Sequence, residues 1–235
     1  MVKVKICGIT NKEDAFWASS LGADFVGLNF CKDSLRKVSV KTAKEITESL
    51  PKYTSVVGVF VNETLSEIVK TVKKVNLEYV QLHGEESKEI CAELKSVLPR
   101  IKIIKVIKIA PQDLSLSQQP ETKEIQQSVN TIVEQITSFL PHIDYILFDT
   151  KIDGQIGGTG ETFNWDTVLK IKNHFETQNF KLQFFVAGGL NTENVSSVIE
   201  LLYPFAVDVS SGVERLPRRK DFEKMKLFIR KAKGG

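Results

Sequence analysis

Two residues of this chain have the chemistry to move protons, and they stand at matching places in the sequence. Cys7 closes the short β-rich run 2–6, and Asp149 follows the apolar run 145–148. A thiol with an ordinary pKa of about 8.5 becomes a proton-abstracting thiolate wherever its surroundings favour the anion. An acid facing such a base across one pocket is the arrangement a proton-shuttling isomerisation needs. Position alone leaves structural roles open for both. A strand-end cysteine also serves as a small buried apolar residue, and an aspartate there also serves as a cap or salt-bridge partner. Arg36 lies in the polar loop Ser34-Leu35-Arg36, where its fork can hold a carboxylate at two points or stay a solvated surface charge. His83, in Val80-Gln81-Leu82-His83-Gly84, reads better as a satisfied strand-end histidine than as a pocket residue. Asp208 falls inside the apolar run 206–209, so its carboxylate needs a partner, from the protein or from a ligand.

Three glycine-bearing stretches complete the set: Gly157-Gly158-Thr159-Gly160, Ala187-Gly188-Gly189 and Ser210-Ser211-Gly212. Glycine marks a tight turn in any fold. Three such turns after the last three strand-like runs also match the corner where β/α barrels bind phosphate, because backbone N–H groups can approach the ligand closely there. Ser210, Ser211 and Thr159 add hydroxyl donors.

The elements that must position these residues alternate along the whole chain. Eight β-rich runs fall at 2–6, 24–28, 55–60, 79–82, 102–107, 145–148, 183–186 and 206–209. Between them, helical periodicity occupies 12–21, 40–50, 65–75, 87–98, a stretch around 125–139, then 165–175, 192–202 and 221–231. Asn11, Asn164 and Asn191 stand where helix caps belong. Parallel strands need crossover helices, so the pattern predicts an α/β protein with a parallel sheet. Eight units in a chain of 235 residues predict closure into a (β/α)8 TIM barrel, with residues 1–235 as a single domain. An open doubly wound sheet is the structural alternative. The segment 110–131, rich in Gln, Ser and Pro, reads as an insertion, since the strand pattern resumes after it.

Composition narrows the function. With 26% charged residues and a formal net charge of +3, the chain has no large field for nucleic acid or a membrane surface. Its first residues form an alternating strand rather than a secretion signal, and no apolar run reaches membrane-span length, which predicts a cytoplasmic protein. Three separated cysteines and three scattered histidines argue against a disulfide framework and against a metal centre.

The blocks KICGIT (5–10), SLR (34–36), VGVFVNE (57–63), VQLHGEE (80–86), FDT (148–150), GGTGETFNW (157–165), FVAGGL (185–190) and VDVSSGVE (207–214) run through the chain in order, each after its expected strand. Together they resemble phosphoribosylanthranilate isomerase. The resemblance implies a β/α barrel of tryptophan biosynthesis that performs an Amadori rearrangement on a small phosphoribosyl substrate without a cofactor. It places the general base on Cys7, the general acid on Asp149, and the arginine that contacts anthranilate on Arg36. Phosphate contacts fall on Gly157, Gly158, Gly188, Gly189, Ser211 and Gly212, and a carboxylate near the substrate's amino nitrogen falls on Asp208. The resemblance fits either a monomer or a homodimer.

Some features depart from the family pattern. Leu35 stands where the arginine motif usually has proline, which removes a fixed φ from that loop. The strand-two exit Gly27-Leu28-Asn29-Phe30-Cys31 is more polar than the family leads one to expect, and the insertion is longer. Cys31 is expected at the rim beside Cys7, and we hypothesise that oxidation pairs them; activity unchanged by oxidant, with both thiols still free, would refute this. Rival barrels fit less well. The isomerase of histidine biosynthesis would carry aspartate in place of Cys7, indole-glycerol phosphate synthase would carry strand-end lysines, and a metal-dependent epimerase would bring histidines together. A barrel that binds a phosphosugar without turnover is compatible with the glycine loops, but retention of both Cys7 and Asp149 favours an enzyme.

Overall fold

The computed structural model describes residues 1–109, 123–150 and 165–234. In chain order the elements are β1 (Lys3–Cys7), α1 (Lys12–Ser20), β2 (Phe25–Asn29), α2 (Val40–Ser49), β3 (Ser55–Phe60), α3 (Leu65–Val75), β4 (Tyr79–Leu82) and α4 (Lys88–Val97). They continue with β5 (Lys102–Ile109), α5 (Lys123–Phe139), β6 (Tyr145–Thr150), α6 (Trp165–Thr177), β7 (Phe184–Val186), α7 (Val195–Leu202) and β8 (Ala206–Val209). A small antiparallel hairpin, β9 (Glu214–Leu216) with β10 (Arg219–Lys220), precedes α8 (Phe222–Ala232). Strands β1 to β8 pair in sequential order, all parallel, and β1 pairs with β8 to close the barrel. The doubly wound alternative is thereby excluded.

Local chemistry sets the boundaries. Asn11 caps α1 through its side-chain oxygen, which accepts the N–H of Asp14 at 2.9 Å. Asn191 does not cap α7 directly. Its side chain takes the N–H groups of Glu193 (2.7 Å) and Asn194 (3.2 Å), a local turn that delays the helix to Val195. Strand β5 runs to Ile109, two residues beyond the sequence expectation, because β6 pairs with it as far as Thr150. Helix α5 starts at Lys123, so the C-terminal part of the expected insertion is helical. Residues 110–122 lie outside the described residues, as does the expected cap Asn164.

Alternation along each strand sorts the side chains into two apolar layers. On β1, Val4 and Ile6 join the layer between barrel and helices, while Lys5 and Cys7 face the barrel interior. A second cluster fills the interior: Phe25, Val57, Ile104, Val106, Leu147, Phe185, Ala187 and Ala206. Near the N-terminal ends of the strands, Phe25, Tyr79, Tyr145, Phe185 and Phe205 pack ring against ring, with Tyr145 and Phe205 centroids 4.8 Å apart and Tyr145 edge-on to Phe185 at 5.6 Å. Such pairs contribute roughly 0.5–1.5 kcal/mol each beyond burial. This aromatic plug seals one end, so polar interior side chains collect toward the C-terminal mouth.

Candidate active site

A cleft opens at the C-terminal mouth, and its walls include Cys7, Arg36, His83, Asp149, Asp208 and Ser211. Gly188 and Gly189 line it as well. Cys7 ends β1 and Asp149 stands near the end of β6, so the barrel's circular strand order puts them on different sides of one opening. The burial of Val4 and Ile6 behind β1, and of Ile146 and Phe148 behind β6, fixes which side chains turn inward.

Asp149 is held from the side. His83 Nε2 lies 3.1 Å from its Oδ2, and Gln81 Nε2 lies 2.9 Å from His83 Nδ1. Gln81 and His83 are two residues apart, which puts them on the same interior face of β4 and its extension. The amide and ring therefore form a short line that orients the carboxylate. The strand-end histidine is satisfied, as its sequence context suggests, but by the candidate acid, and it also lines the cleft, the role that its sequence context disfavoured.

Arg36 is also held. Its Nε and Nη2 donate to Glu214 Oε1 and Oε2 at 2.8 and 2.7 Å, a two-point pair. Lys220 Nζ donates to the same Glu214 Oε1 at 3.1 Å and to the Ser210 carbonyl at 2.9 Å. Burial alone would push the Glu214 carboxyl up, but the Arg36 hydrogen bonds and the nearby Lys220 charge hold it below the usual carboxylate range. Hydrogen bonding to Glu214 raises the Arg36 guanidinium above its ordinary value. The hairpin thus fixes the Arg36 side chain, while the Arg36 N–H donates to Ser34 Oγ at 3.1 Å within the loop that carries Leu35. Gly8 makes room for this arm: its φ of +74° is left-handed, and a Cβ there would overlap Arg36 Cδ.

Asp208 finds its partner within the protein, since Lys5 Nζ donates to its Oδ2 at 2.8 Å. Asp208 Oδ1 is buried and accepts no hydrogen bond among the described residues, although Asp208 lines the cleft. One oxygen is therefore committed and the other has no partner among the described residues. Burial pushes the Asp208 carboxyl up against the opposing pull of Lys5. Burial also pushes the Cys7 thiol up, and the Lys5 charge is the largest influence in the other direction.

The glycine turns divide. Gly188 and Gly189 have φ of +77° and +68°, and the Gly189 carbonyl accepts from Asn194 Nδ2 at 3.1 Å, which ties the turn to the start of α7. Ser211 lines the cleft, while Gly212 lies against the Leu190 carbonyl, where any side chain would overlap. Gly157 and Gly158 lie outside the described residues. All three cysteines are free thiols, and Cys31 is buried with its N–H on Asn29 Oδ1 at 2.8 Å. Among the described residues no group of three or more His, Cys, Asp or Glu side chains could hold a metal ion, and no helix is long and apolar enough to cross a membrane.

Residue-type reasoning passed over Lys5, Gln81, Glu214 and Lys220. Gln81 carried a usable signal, because it shares a strand face with His83, whereas Lys5 reads as part of a strand's wet face. Glu214 and Lys220 carried none, since nothing local marks two charges on a short hairpin as partners of a distant arginine.

A closed parallel barrel with ionisable groups gathered at its C-terminal mouth defines the class, a (β/α)8-barrel enzyme. Comparison with known proteins narrows the class. The family model described as N-(5'phosphoribosyl)anthranilate (PRA) isomerase matches residues 4–231, and the chain belongs to that family. A Thermotoga neapolitana N-(5'-phosphoribosyl)anthranilate isomerase is 41% identical over 234 residues, covering 100% of both chains. Monomers generated from the dimeric phosphoribosylanthranilate isomerase of Thermotoga maritima superpose with a TM-score of 0.77 at 37% identity, again covering 100% of both chains. A phosphoribosyl anthranilate isomerase solved with reduced 1-(o-carboxyphenylamino)-1-deoxyribulose 5-phosphate gives 0.78 at 36% identity and the same coverage. Family membership makes this chain an isomerase of tryptophan biosynthesis.

Proposed function

We propose that residues 1–235 act as a single-domain cytoplasmic enzyme that converts N-(5-phosphoribosyl)anthranilate to 1-(2-carboxyphenylamino)-1-deoxyribulose 5-phosphate, with Asp149 as general acid and Cys7 as general base. The observation that carries the residue assignment is their presence on one cleft, from strands on different sides of the barrel mouth. The small phosphoribosyl substrate is the only partner this reading needs, with no nucleic acid, membrane, metal or organic cofactor.

The chemistry divides into two proton transfers. Asp149 gives its proton to the furanose ring oxygen as the C1′–O bond breaks, and the nitrogen lone pair forms the C=N bond of a Schiff base. The Cys7 thiolate then takes the C2′ proton, and the C–H electron pair forms a C1′=C2′ bond while the C=N π pair returns to nitrogen, giving an enolamine. Tautomerisation yields the ketone. Holding acid and base on opposite sides of a fixed ribose removes the entropy cost of bringing them together.

The other side chains supply binding. Arg36 has donors beyond the two given to Glu214, and these meet the anthranilate carboxylate. The unpartnered Asp208 Oδ1 accepts from the substrate nitrogen, where positive charge develops in the Schiff base. Gly188, Gly189, Ser211 and Gly212, with Gly157 and Gly158, hold the phosphate.

The test follows the loss of substrate fluorescence with phosphoribosylanthranilate generated in situ, for wild type, Cys7→Ala and Asp149→Ala. The expected result is rapid loss with wild type, accumulation of the ketone, and kcat lowered by about 10²–10⁴-fold in each variant. A folded wild type that binds substrate without turnover would overturn the assignment of activity. Near-normal turnover in either variant would overturn that residue's role.

A further inference from the structure

Lys5 is a lysine with no exposed surface in the middle of the barrel interior. A buried ammonium is costly unless it is paired and its N–H groups are used. Asp208 Oδ2 satisfies one of them at 2.8 Å. The surroundings of Gly27 on β2 show where else the charge is directed. Cys7 Sγ lies 2.7 Å, and Lys5 Nζ 3.2 Å, from the point that a Cβ on Gly27 would occupy. Sulfur and ammonium therefore share the small space left by the missing side chain. Strand alternation brings them there, since Lys5 and Cys7 are two residues apart on one face of β1.

The thiol is faced by several charged or titratable groups. Lys5 comes from β1, Asp208 from β8, Lys220 from β10 and Arg36 from the loop after β2, with Asp149 and His83 on the cleft wall. Arg36 and Lys220 are both committed to Glu214. Lys5 is the cation whose only carboxylate partner among the described residues, Asp208, borders the same cleft as the sulfur.

We propose that Lys5 is a positioning residue for the base, its ammonium shared between the Asp208 carboxylate and the Cys7 sulfur so that the thiolate is stabilised when it forms for proton abstraction. This rests on the reading of Cys7 as base. The thiol proton leaves to water as the thiolate forms, and the C2′ proton later restores the thiol; no electron changes hands. Burial opposes the thiolate, and Lys5 is what works most strongly against burial. Asp208 tunes the effect in the opposite sense by competing for the same ammonium.

The test measures the pH dependence of Cys7 alkylation by iodoacetamide in the full-length folded chain. Modification is followed by peptide mass, so Cys31 and Cys91 do not contribute. In Lys5→Met the titration midpoint is expected to rise and alkylation at pH 7.5 to slow by about tenfold or more, the effect of losing one pKa unit of thiolate stabilisation. In Asp208→Asn the midpoint is expected to fall, since Lys5 is left with the sulfur as its anionic partner. Circular dichroism checks the fold of each variant. A purely structural lysine would leave the Lys5→Met midpoint where it is in wild type, and coincidence of those two curves overturns the proposal. If Lys5→Met does not fold, Lys5→Gln, which keeps a polar head and loses the charge, takes its place: a raised midpoint supports the shared ammonium, and an unchanged or lower one overturns it. Because alkylation reads the thiol directly, full turnover in Cys7→Ala would sink the base assignment separately.

Discussion

Glu214 carries two cations on one carboxylate, Arg36 through both oxygens and Lys220 through Oε1, with little of its side chain exposed. Removing that charge leaves Lys220 buried without its carboxylate and frees the Arg36 fork. Glu214→Gln is therefore expected to lower stability by about 3–5 kcal/mol, the usual cost of breaking a buried pair, and to raise KM more than it lowers kcat. Urea denaturation at pH 7 and steady-state kinetics read the two effects. The sign of the pH dependence follows from the lowered folded-state value of Glu214. Its contribution is fully present above the unfolded value of about 4.3 and is lost as pH falls through the still lower folded value. Wild type should lose this increment in acid and the variant should not; parallel acid limbs would contradict it. Position alone left Cys7, Asp149 and Arg36 with structural alternatives, and they were legible only through the ordered blocks around them, which the barrel brings to one cleft. Lys5 was not, because Lys3-Val4-Lys5-Ile6-Cys7 reads as a strand with one wet face, and in a barrel that face turns inward to an ion pair.

The loops after β7 and β8 form a unit, locked where Gly212 meets the Leu190 carbonyl. An alanine there has no space without separating the two turns that carry Gly188, Gly189 and Ser211. Gly212→Ala is expected to cost about 1–3 kcal/mol of stability, the range for overpacking, and to raise KM for the phosphorylated substrate with a smaller change in kcat. Thermal melts and the fluorescence assay measure both, and an unchanged KM would detach Gly212 from the phosphate loop. Sequence periodicity carries the eight strands and their helices because burial on one or both faces leaves a pattern in composition. It misses events decided by single hydrogen bonds, such as the late start of α7 at Val195. It also misses the β9–β10 hairpin, whose five residues bear mixed charges and no repeat.

Across the whole molecule, the ring cluster near the N-terminal ends of the strands replaces a lumen with a packed wall. Tyr79 belongs to it, with its ring edge-on to Phe25 at 5.2 Å. Burial first, then the neighbouring Tyr145, Glu78 and Asp144, pushes its phenol up to about 12. A group raised on folding contributes stability that is fully present below its unfolded value, about 10 for tyrosine, and lost as pH rises through the folded value. Denaturation midpoints should therefore fall between about pH 10 and 12, and Tyr79→Phe should flatten that limb. An alkaline limb identical in wild type and variant would assign the loss to other groups.

The same wall makes the barrel a cul-de-sac. Among the described residues the wall closes the end opposite the cleft, so substrate, product and displaced water are exchanged at the mouth rather than passed through the barrel. Occupancy by product and entry of the next substrate exclude one another, and traffic at that doorway becomes part of the timing of turnover.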